Sequence, residues 1–256
     1  MMRNLLITLR FDGSRYHGFQ VQKNALSVCQ VFQDAVESLF GVRWDVKGCS
    51  RTDSGVHAEM YCLSMRMDRD IPCEKLLFAL NQRLPGDIAV SGVTEAGEKF
   101  HARYDCTGKQ YTYRIHNSRV KDPFRQEQTL QYPWRLDEAM LHREAQDFVG
   151  THDFSAFCAA AGVTDDPVRT ITAFSVERTG EEVLFRVEGD GFLYNMVRIM
   201  VGTLLHIAAG KLPKGSIPGI LTSRNRQRAG KTVPAKGLYL TRVDYADGIS
   251  EDMLKE

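Results

Sequence analysis

The sequence has 256 residues, 43% of them hydrophobic, which is enough for one large domain or two ordinary ones with a real core. Its six cysteines form no CxxC pair and no His/Cys cluster at zinc-ligand spacing, so the sequence indicates neither a disulfide framework nor a metal site and favours a reducing compartment, the cytoplasm. The most apolar stretch, 196–209, is interrupted by Arg198 and His206 and is shorter than the roughly 20 residues of a membrane span, which argues against a membrane protein.

The net charge is +1, but the charges are unevenly distributed along the chain. Residues 191–243 contain nine basic residues and no acidic residue, so the rest of the chain carries a net charge of −8. A second stretch, 99–121, interleaves six basic residues with four aromatic ones: Phe100, Tyr104, Tyr111 and Tyr113. Basic residues mixed with aromatic rings suit contact with phosphates and stacking on nucleobases, although ordinary solvated faces of strands and loops have a similar composition.

Hydrophobic periodicity and turn residues predict six elements in the first part of the chain. Ser27, followed three residues later by Gln30, predicts a capping box for a helix that Gly41 closes. In order, the predicted elements are a strand over 3–11, that helix, strands over 44–49 and 58–67, a helix over 74–84 and a strand over 88–93. The order strand, helix, strand, strand, helix, strand is the split βαβ arrangement of ferredoxin-like sandwiches.

The second part of the sequence repeats this alternation of helices and strands. It begins with a strand-rich segment over 100–116, in which Tyr111, Tyr113 and Ile115 share one face. The elements that follow are a helix from Asp137 to Val149, strands over 171–178 and 182–188, helices over 192–208 and 217–222, and a strand over 238–245. We therefore expect an α+β protein with two related halves that face each other, an N-terminal domain at 1–104 and a C-terminal domain at 105–256.

The loop over 48–58 concentrates polar, charged and turn-forming residues between two predicted strands. Asp53 is followed by Ser54-Gly55, which lets the backbone turn tightly and hold the carboxylate outward, and Arg51 could keep that carboxylate ionised. A structural Asx-turn with a surface ion pair is the alternative interpretation. Asp53 is therefore a candidate catalytic residue, with a purely structural role as its competitor.

Arg198 lies in the predicted helix over 192–208, which has almost no polar face. We expect this helix to be enclosed by protein and Arg198 to be buried. A buried guanidinium without a carboxylate would cost several kcal/mol, so a partner is expected. Asp53, Glu188 and Asp190 are the candidates. Pairing with Asp53 would form an active-site pair in a cleft between the halves, whereas pairing with Glu188 would be structural.

Eight segments of distinctive sequence are spread over nearly the whole chain. They are 11–20 (FDGSRYHGFQ), 51–58 (RTDSGVHA), 81–88 (NQRLPGDI), 100–103 (FHAR), 109–115 (KQYTYRI), 153–157 (DFSAF), 191–202 (GFLYNMVRIMVG) and 237–240 (GLYL). Any one of them is moderately specific. Together, and in this order, they closely resemble the tRNA pseudouridine synthase A family.

This resemblance implies a homodimer in which each chain has two ferredoxin-like halves around a central antiparallel sheet, with no cofactor and no metal. The implied reaction isomerises uridine to pseudouridine in the anticodon stem-loop of tRNA, at positions 38, 39 and/or 40. Asp53 is then the catalytic carboxylate, Tyr111 the ring that stacks on the base, and Arg198 the partner of Asp53. Arg51 would help to open the target site and contact the RNA backbone. Attack by Asp53 at the sugar, attack at the base and a glycal intermediate all remain open.

The chemistry of this reaction matches the residue types. Breaking the C–N glycosidic bond gives the sugar C1′ positive character, which a carboxylate can trap or stabilise. The departing uracil is anionic, so a neighbouring cation and a stacking ring would retain it. The target base must leave its stack, which costs a few kcal/mol that phosphate contacts from the basic residues of 211–242 can offset.

The sequence departs from the family pattern at three places. Phe19 stands where Trp is usual, Ser54 stands where Ala is usual, and residues 59–65 replace a usual Gly-Gln-Val stretch. Because the changed strand borders the predicted site, a paralogue that acts on a different RNA is one alternative. A non-catalytic RNA-binding module with two sheets as stacking platforms is another. An aspartic protease is a third, since residues 52–55 contain a D-[ST]-G motif, but such enzymes need a second carboxylate and an all-β fold.

Overall fold

The computed structural model describes residues 2–159 and 165–246, and these residues form two compact units. In chain order, the elements are β1 (Arg3–Phe11), α1 (Val28–Phe40), β2 (Val46–Gly48), β3 (His57–Met67), α2 (Cys73–Asn81), β4 (Ile88–Ala96), β5 (Cys106–His116), β6 (Leu130–Gln131), α3 (Glu138–Ala145), β7 (Gly150–Asp153), β8 (Val168–Thr179), β9 (Glu182–Gly189), α4 (Met196–Ala208), α5 (Ile217–Ser223) and β10 (Leu238–Tyr245). The α+β class predicted from the sequence is confirmed.

The first unit comprises the described residues of Met1–Thr107 and of Tyr239–Glu256. In its sheet, β1 pairs antiparallel with β3 and β4, and β2 pairs antiparallel with β3, giving the order β4-β1-β3-β2. With α1 and α2 between the strands, this is the predicted split βαβ arrangement. β10 adds to β3 in parallel, with Tyr239 opposite His57 and Leu240 opposite Ala58. The final strand, expected in the second half, is thus grouped with the first unit.

The second unit comprises Gly108–Leu238, of which 160–164 lie outside the described residues. Its strands follow the order β5-β9-β8-β7 with antiparallel pairings, and the short β6 pairs in parallel with β5. Apart from the short strands β6 and β7, the elements β5, α3, β8, β9 and α4 repeat the strand, helix, strand, strand, helix order of the first unit. The two halves are therefore related in element order, as the alternating pattern of the sequence predicted.

Strand β5 and helix α4 begin well after their predicted starts, and β2 begins at Val46 rather than at residue 44. The segment predicted as a strand from Phe100 forms turns up to residue 105, because the N–H groups of Tyr104 and Asp105 donate to the His101 carbonyl at 3.1 Å. Helix α4 begins at Met196 rather than near 192, because Asn195 has a φ of 61°, which a right-handed helix cannot include. All of 196–207 except Arg198 and His206 is buried, so α4 is enclosed as predicted.

Three further features concern compartment and ligands. None of the helices formed by the described residues has the length and apolar character needed to cross a membrane. Within the same residues, no three His, Cys, Asp or Glu side chains are grouped so that they could hold a metal ion. Cys29, Cys49, Cys62, Cys73, Cys106 and Cys158 are free thiols.

Replacing the cap of α1 tests why this helix begins where it does. Ser27 has an extended backbone, and its side chain accepts from the Gln30 N–H at 3.2 Å. Ser27→Ala should lower the free energy of unfolding by about 1 kcal/mol, because that N–H then lacks its acceptor. Gln30→Ala keeps the N–H and should change it by less than about 0.5 kcal/mol. Urea unfolding followed by circular dichroism gives both values, and equal effects would contradict the capping role.

Candidate active site

The loop between β2 and β3 carries two of the residues proposed from the sequence, Asp53 and Arg51. Asp53 is half-buried and Arg51 is exposed. The Val56 N–H donates to the Asp53 carbonyl at 3.2 Å, which closes a tight turn over residues 54 and 55. The turn predicted directly after Asp53 is therefore present.

The segment that follows β1 braces this turn. The Tyr16 carbonyl accepts a hydrogen bond from the Gly55 N–H at 3.1 Å. Gly18 lies directly against the loop, where a Cβ atom would collide with the Thr52 carbonyl oxygen. An Asx-turn at Asp53 would need the N–H two residues later, which is that of Gly55. Because the Gly55 N–H donates to the Tyr16 carbonyl, the segment that follows β1 helps to hold the turn that carries Asp53.

Asp87 anchors the bracing segment in turn. Its carboxylate accepts hydrogen bonds from the Tyr16 hydroxyl at 2.6 Å and from Arg15 Nη1 at 3.0 Å. Burial raises the pKa of Tyr16, and the hydrogen bond to Asp87 raises it further, so the phenol stays protonated and keeps donating. Three of the distinctive segments, those containing Tyr16, Asp53 and Asp87, thus converge on one turn.

His57 lies at the end of the loop and is buried. Its ring stacks on that of Tyr239, with centroids 4.6 Å apart and an interplanar angle of 18°. Its Nδ1 accepts from the Gly13 N–H at 3.1 Å and also lies 3.1 Å from Asp12 Oδ1. His57 therefore ties the loop to β1 and β10.

Two departures from the family pattern pack against each other beneath the loop. The rings of Phe19 and Tyr61 are both buried and stacked, with centroids 4.1 Å apart. The Tyr61 hydroxyl donates to the Ser50 carbonyl and accepts from the Ser50 N–H at 3.4 Å. A Cβ atom on Gly48 would collide with the same hydroxyl. The altered strand thus supports the start of the loop that carries Asp53.

In the second unit, Tyr111 lies on β5 and is only 6% exposed. Its ring meets Phe192 edge-on, with centroids 5.1 Å apart. Tyr113, two residues on, donates its hydroxyl to the Pro234 carbonyl at 2.8 Å. Burial raises the pKa of Tyr113, and the charge of Arg198 opposes that rise. Strand β5 and the start of α4 therefore adjoin, which brings the Tyr111 and Arg198 segments together.

Arg198 lies in the first turn of α4 and is half-buried. The expectation of a buried Arg198 was therefore wrong in degree, although its neighbours Met196, Val197 and Ile199 are buried. Arg198 Nε donates to the Val233 carbonyl at 2.8 Å, and Nη1 donates to Asn195 Oδ1 at 2.6 Å. The Val233 N–H donates back to the Arg198 carbonyl at 3.3 Å. Two neutral oxygens thus orient the guanidinium.

The structural carboxylates considered as partners of Arg198 have other contacts of their own. Asp190 Oδ1 accepts from the Thr170 N–H at 3.0 Å, and Glu188 Oε1 accepts from Gln110 Nε2 at 2.7 Å. Pairing of Arg198 with Asp53 stays a prediction. Sequence reasoning did not assign the roles of Asn195 and Val233. Asn195 could have been noticed, since Asn tolerates a positive φ and often ends or begins a helix. Val233 contributes backbone atoms, for which the sequence holds no signal.

The hydroxyl beneath the loop can be tested by removing it. Tyr61→Phe keeps the ring stack on Phe19 but removes the hydroxyl that contacts the Ser50 backbone, and should lower the free energy of unfolding by about 1 to 2 kcal/mol. Amide hydrogen exchange at residues 50–55 should also become faster. Tyr104→Phe makes the same chemical change at a residue 77% exposed and should alter stability by less than about 0.5 kcal/mol. Unchanged exchange in the Tyr61 variant would show that the loop does not depend on this bond.

Comparison with known proteins gives a consistent set of relatives. A family model described as tRNA pseudouridine synthase matches residues 7–105 and 145–246. The chain is 44% identical over 244 residues to tRNA pseudouridine synthase A of Acetivibrio thermocellus, covering 95% of this chain and 100% of that protein. It is 42% identical over 245 residues to tRNA pseudouridine synthase A of Ruminiclostridium cellulolyticum, with the same coverage of both chains.

Two further matches complete the comparison. tRNA pseudouridine synthase A 1 of Bacillus cereus is 41% identical over 247 residues, covering 95% of this chain and 99% of that protein. Among solved structures, a chain of the Cbf5-Nop10-Gar1 complex is 11% identical with a TM-score of 0.38, covering 92% of this chain and 57% of that one. The likeness to this solved structure is too weak to bear on fold or function.

Proposed function

The chain belongs to the tRNA pseudouridine synthase family and is therefore an isomerase, and from this premise we propose that it converts uridine to pseudouridine in tRNA, with Asp53 as the catalytic carboxylate. The observation that carries the assignment of Asp53 is the turn around it. The Tyr16 carbonyl accepts from the Gly55 N–H and the Asp53 carbonyl accepts from the Val56 N–H, so backbone contacts fix the turn that carries the carboxylate. A half-buried carboxylate held in this way suits attack on, or stabilisation of, an electron-poor sugar carbon.

The proposed substrate is the anticodon stem-loop, with uridines at positions 38, 39 and/or 40 as the targets. The resemblance to the tRNA pseudouridine synthase A proteins supports this choice. Exposed basic residues of the second unit would contact the phosphates and offset the cost of unstacking the target base. They are Lys211, Lys214, Arg224, Arg228 and Lys231. Arg51, exposed in the Asp53 loop, would add a contact next to the reacting nucleotide.

The other proposed site residues have distinct roles. Tyr111 supplies the ring that stacks on uracil, and its edge-on contact with Phe192 would keep that ring in place. Arg198 supplies positive charge for the Asp53 carboxylate. Because two neutral oxygens orient its guanidinium, this charge needs little reorganisation when the reaction moves electrons. The resemblance to the family supports a role for Asp53, Tyr111 and Arg198 in the same reaction.

The decisive variant is Asp53→Asn, which keeps the shape of the side chain and removes its charge. Pseudouridine formation should fall by a factor on the order of 10³ or more, because the carboxylate is the reacting group. The affinity for the RNA should change little. Asp45→Asn makes the same change at a side chain 75% exposed and should leave both quantities as in the wild type. Selective chemical tagging of pseudouridine measures the product, and a filter-binding assay measures the affinity.

The RNA substrate is tested in the same assay with a tRNA transcript and variants in which U38, U39 or U40 is replaced by cytidine. Modification confined to these uridines supports the proposed substrate. An unmodified tRNA beside a modified rRNA fragment would instead indicate a paralogue with a different target. Binding without modification by both the wild type and the Asp53 variant would indicate an RNA-binding module and would contradict the assignment of an activity to this chain.

A homodimer and a cytoplasmic location belong to the same proposal. The free thiols of the six cysteines are consistent with a reducing compartment. For the homodimer, the support is the resemblance to the family. Sedimentation equilibrium of the full chain should give twice the chain mass of 28.9 kDa, and a single-chain mass at micromolar concentration would contradict the dimer.

A further inference from the structure

A loop of the second unit lies along helix α4 in close backbone contact. We call residues 226–233 the basic loop, since it contains Arg226, Arg228 and Lys231. Gly202 of α4 lies so near the loop that a Cβ atom would collide with the Lys231 carbonyl. A Cβ atom on Gly230 would likewise collide with the backbone of residues 202 and 203. Glycine on both sides is what permits this approach.

Thr203 joins the helix to the basic loop at the point of closest approach. Its side chain is fully buried. The hydroxyl donates to the Ile199 carbonyl at 2.8 Å and accepts from the Gly230 N–H at 2.8 Å. The Gly230 N–H is itself part of a buried residue, so loss of the hydroxyl would leave a buried donor without this acceptor. The position of Gly230 is therefore set by one helical side chain.

The same loop ends on Arg198. Three residues after Gly230, the Val233 carbonyl accepts from Arg198 Nε at 2.8 Å, and the Val233 N–H donates to the Arg198 carbonyl at 3.3 Å. The path from Thr203 to the guanidinium thus runs through the backbone of residues 230–233. A shift of Gly230 would be passed to the carbonyl that orients Nε.

Arg226 stabilises the basic loop by hydrogen bonds within the loop itself. It is half-buried, and its guanidinium donates to the Gly230 carbonyl at 2.9 Å and to Thr232 Oγ1 at 3.2 Å. Both acceptors lie within the loop, one on each side of Lys231. The segment between Gly230 and Val233 is therefore braced from inside, so that it moves as one piece when its contact with the helix changes.

We propose that Thr203 is a positioning residue for Arg198, acting through the Gly230 N–H and the Val233 carbonyl. This inference rests on the proposed function insofar as Arg198 serves the reaction. Thr203 itself is buried within the helix contact and touches no substrate. Its role is to fix the carbonyl against which the guanidinium is held.

The test uses two matched variants of the full chain. Thr203→Val keeps the shape and removes the hydroxyl, whereas Thr203→Ser keeps the hydroxyl and removes only a methyl group. With saturating tRNA, Thr203→Val should slow single-turnover pseudouridine formation by about tenfold to a hundredfold, the effect of a small misplacement of a site group, while the KM for tRNA stays within about twofold. Thr203→Ser should restore a rate close to that of the wild type. If the Thr203→Val protein does not fold, Thr203→Ala is used in its place.

A double-mutant cycle separates positioning from a general structural role. If Thr203 acts through Arg198, then Thr203→Val should have little further effect on the rate once Arg198→Lys has removed the Nε–H. Equal losses from Thr203→Val in both backgrounds would overturn the proposal, as would a wild-type rate in the Thr203→Val protein. So would a wild-type rate in Arg198→Lys, since Thr203 would then have nothing to act on.

A spectroscopic signature keeps the inference distinct from the proposed function. The Arg198 Nε–H resonance, identified by its loss in Arg198→Lys, should shift or broaden in Thr203→Val and stay in place in Thr203→Ser. An unchanged resonance in Thr203→Val would overturn the positioning role whatever the activity. The two proposals can also fail separately. If the resonance shifts in Thr203→Val but the wild-type protein leaves tRNA unmodified, the positioning of Arg198 is supported and the proposed function is contradicted.

Discussion

The hydrogen bond from the Gly55 N–H to the Tyr16 carbonyl is the constraint on which the candidate active site depends. The turn that contains Gly55 carries Asp53, the candidate catalytic carboxylate, and its Val56 N–H donates to the Asp53 carbonyl. Here the turn is held by a neighbouring segment, which Asp87 fixes through the Tyr16 hydroxyl. The ferredoxin-like sheet matters because it places the ends of β1, β3 and β4 where these three segments can meet.

In the second unit, neutral groups orient the positively charged guanidinium of Arg198. Arg198 is oriented by a backbone carbonyl and by Asn195, both neutral, and each bond fixes direction without cancelling charge. A structural carboxylate in either place would hold the guanidinium equally well and would weaken its field at the reacting group. Neutral ligands therefore suit a cation that must be rigid and still act electrostatically, as the proposed reaction requires.

Sequence patterns predicted the elements well where local chemistry decides them. Ser27 and Gly41 bound α1 as expected, and the strand ending at Tyr245 has the bounds that its alternation predicted. The patterns were less reliable where tertiary contacts decide. Residues 100–105 alternate like a strand but fold into a turn, which the Tyr245 hydroxyl secures by donating to the Ala102 carbonyl at 2.7 Å. The grouping of β10 with the first unit depends on pairing with β3, which no local signal encodes.

In the candidate site, too, the features set by local sequence could be predicted and those set by tertiary contacts could not. The turn after Asp53 could be predicted from its own residues, and the apolar helix around Arg198 could be predicted from its periodicity. The bracing by Tyr16 and the orientation of Arg198 by Val233 could not, because both use carbonyl oxygens that every residue possesses. What the sequence identifies is the candidate reactive group, whereas the groups that hold its loop are selected by the fold.

The stacked rings of Phe19 and Tyr61 have a consequence for how this protein can change. Both rings are buried, and the Tyr61 hydroxyl already excludes a Cβ atom at residue 48. Restoring the larger indole at position 19 would overfill this interior unless position 61 became smaller at the same time. Positions 19 and 61 therefore share one buried volume, so that a change of size at one of them alters the packing of the other.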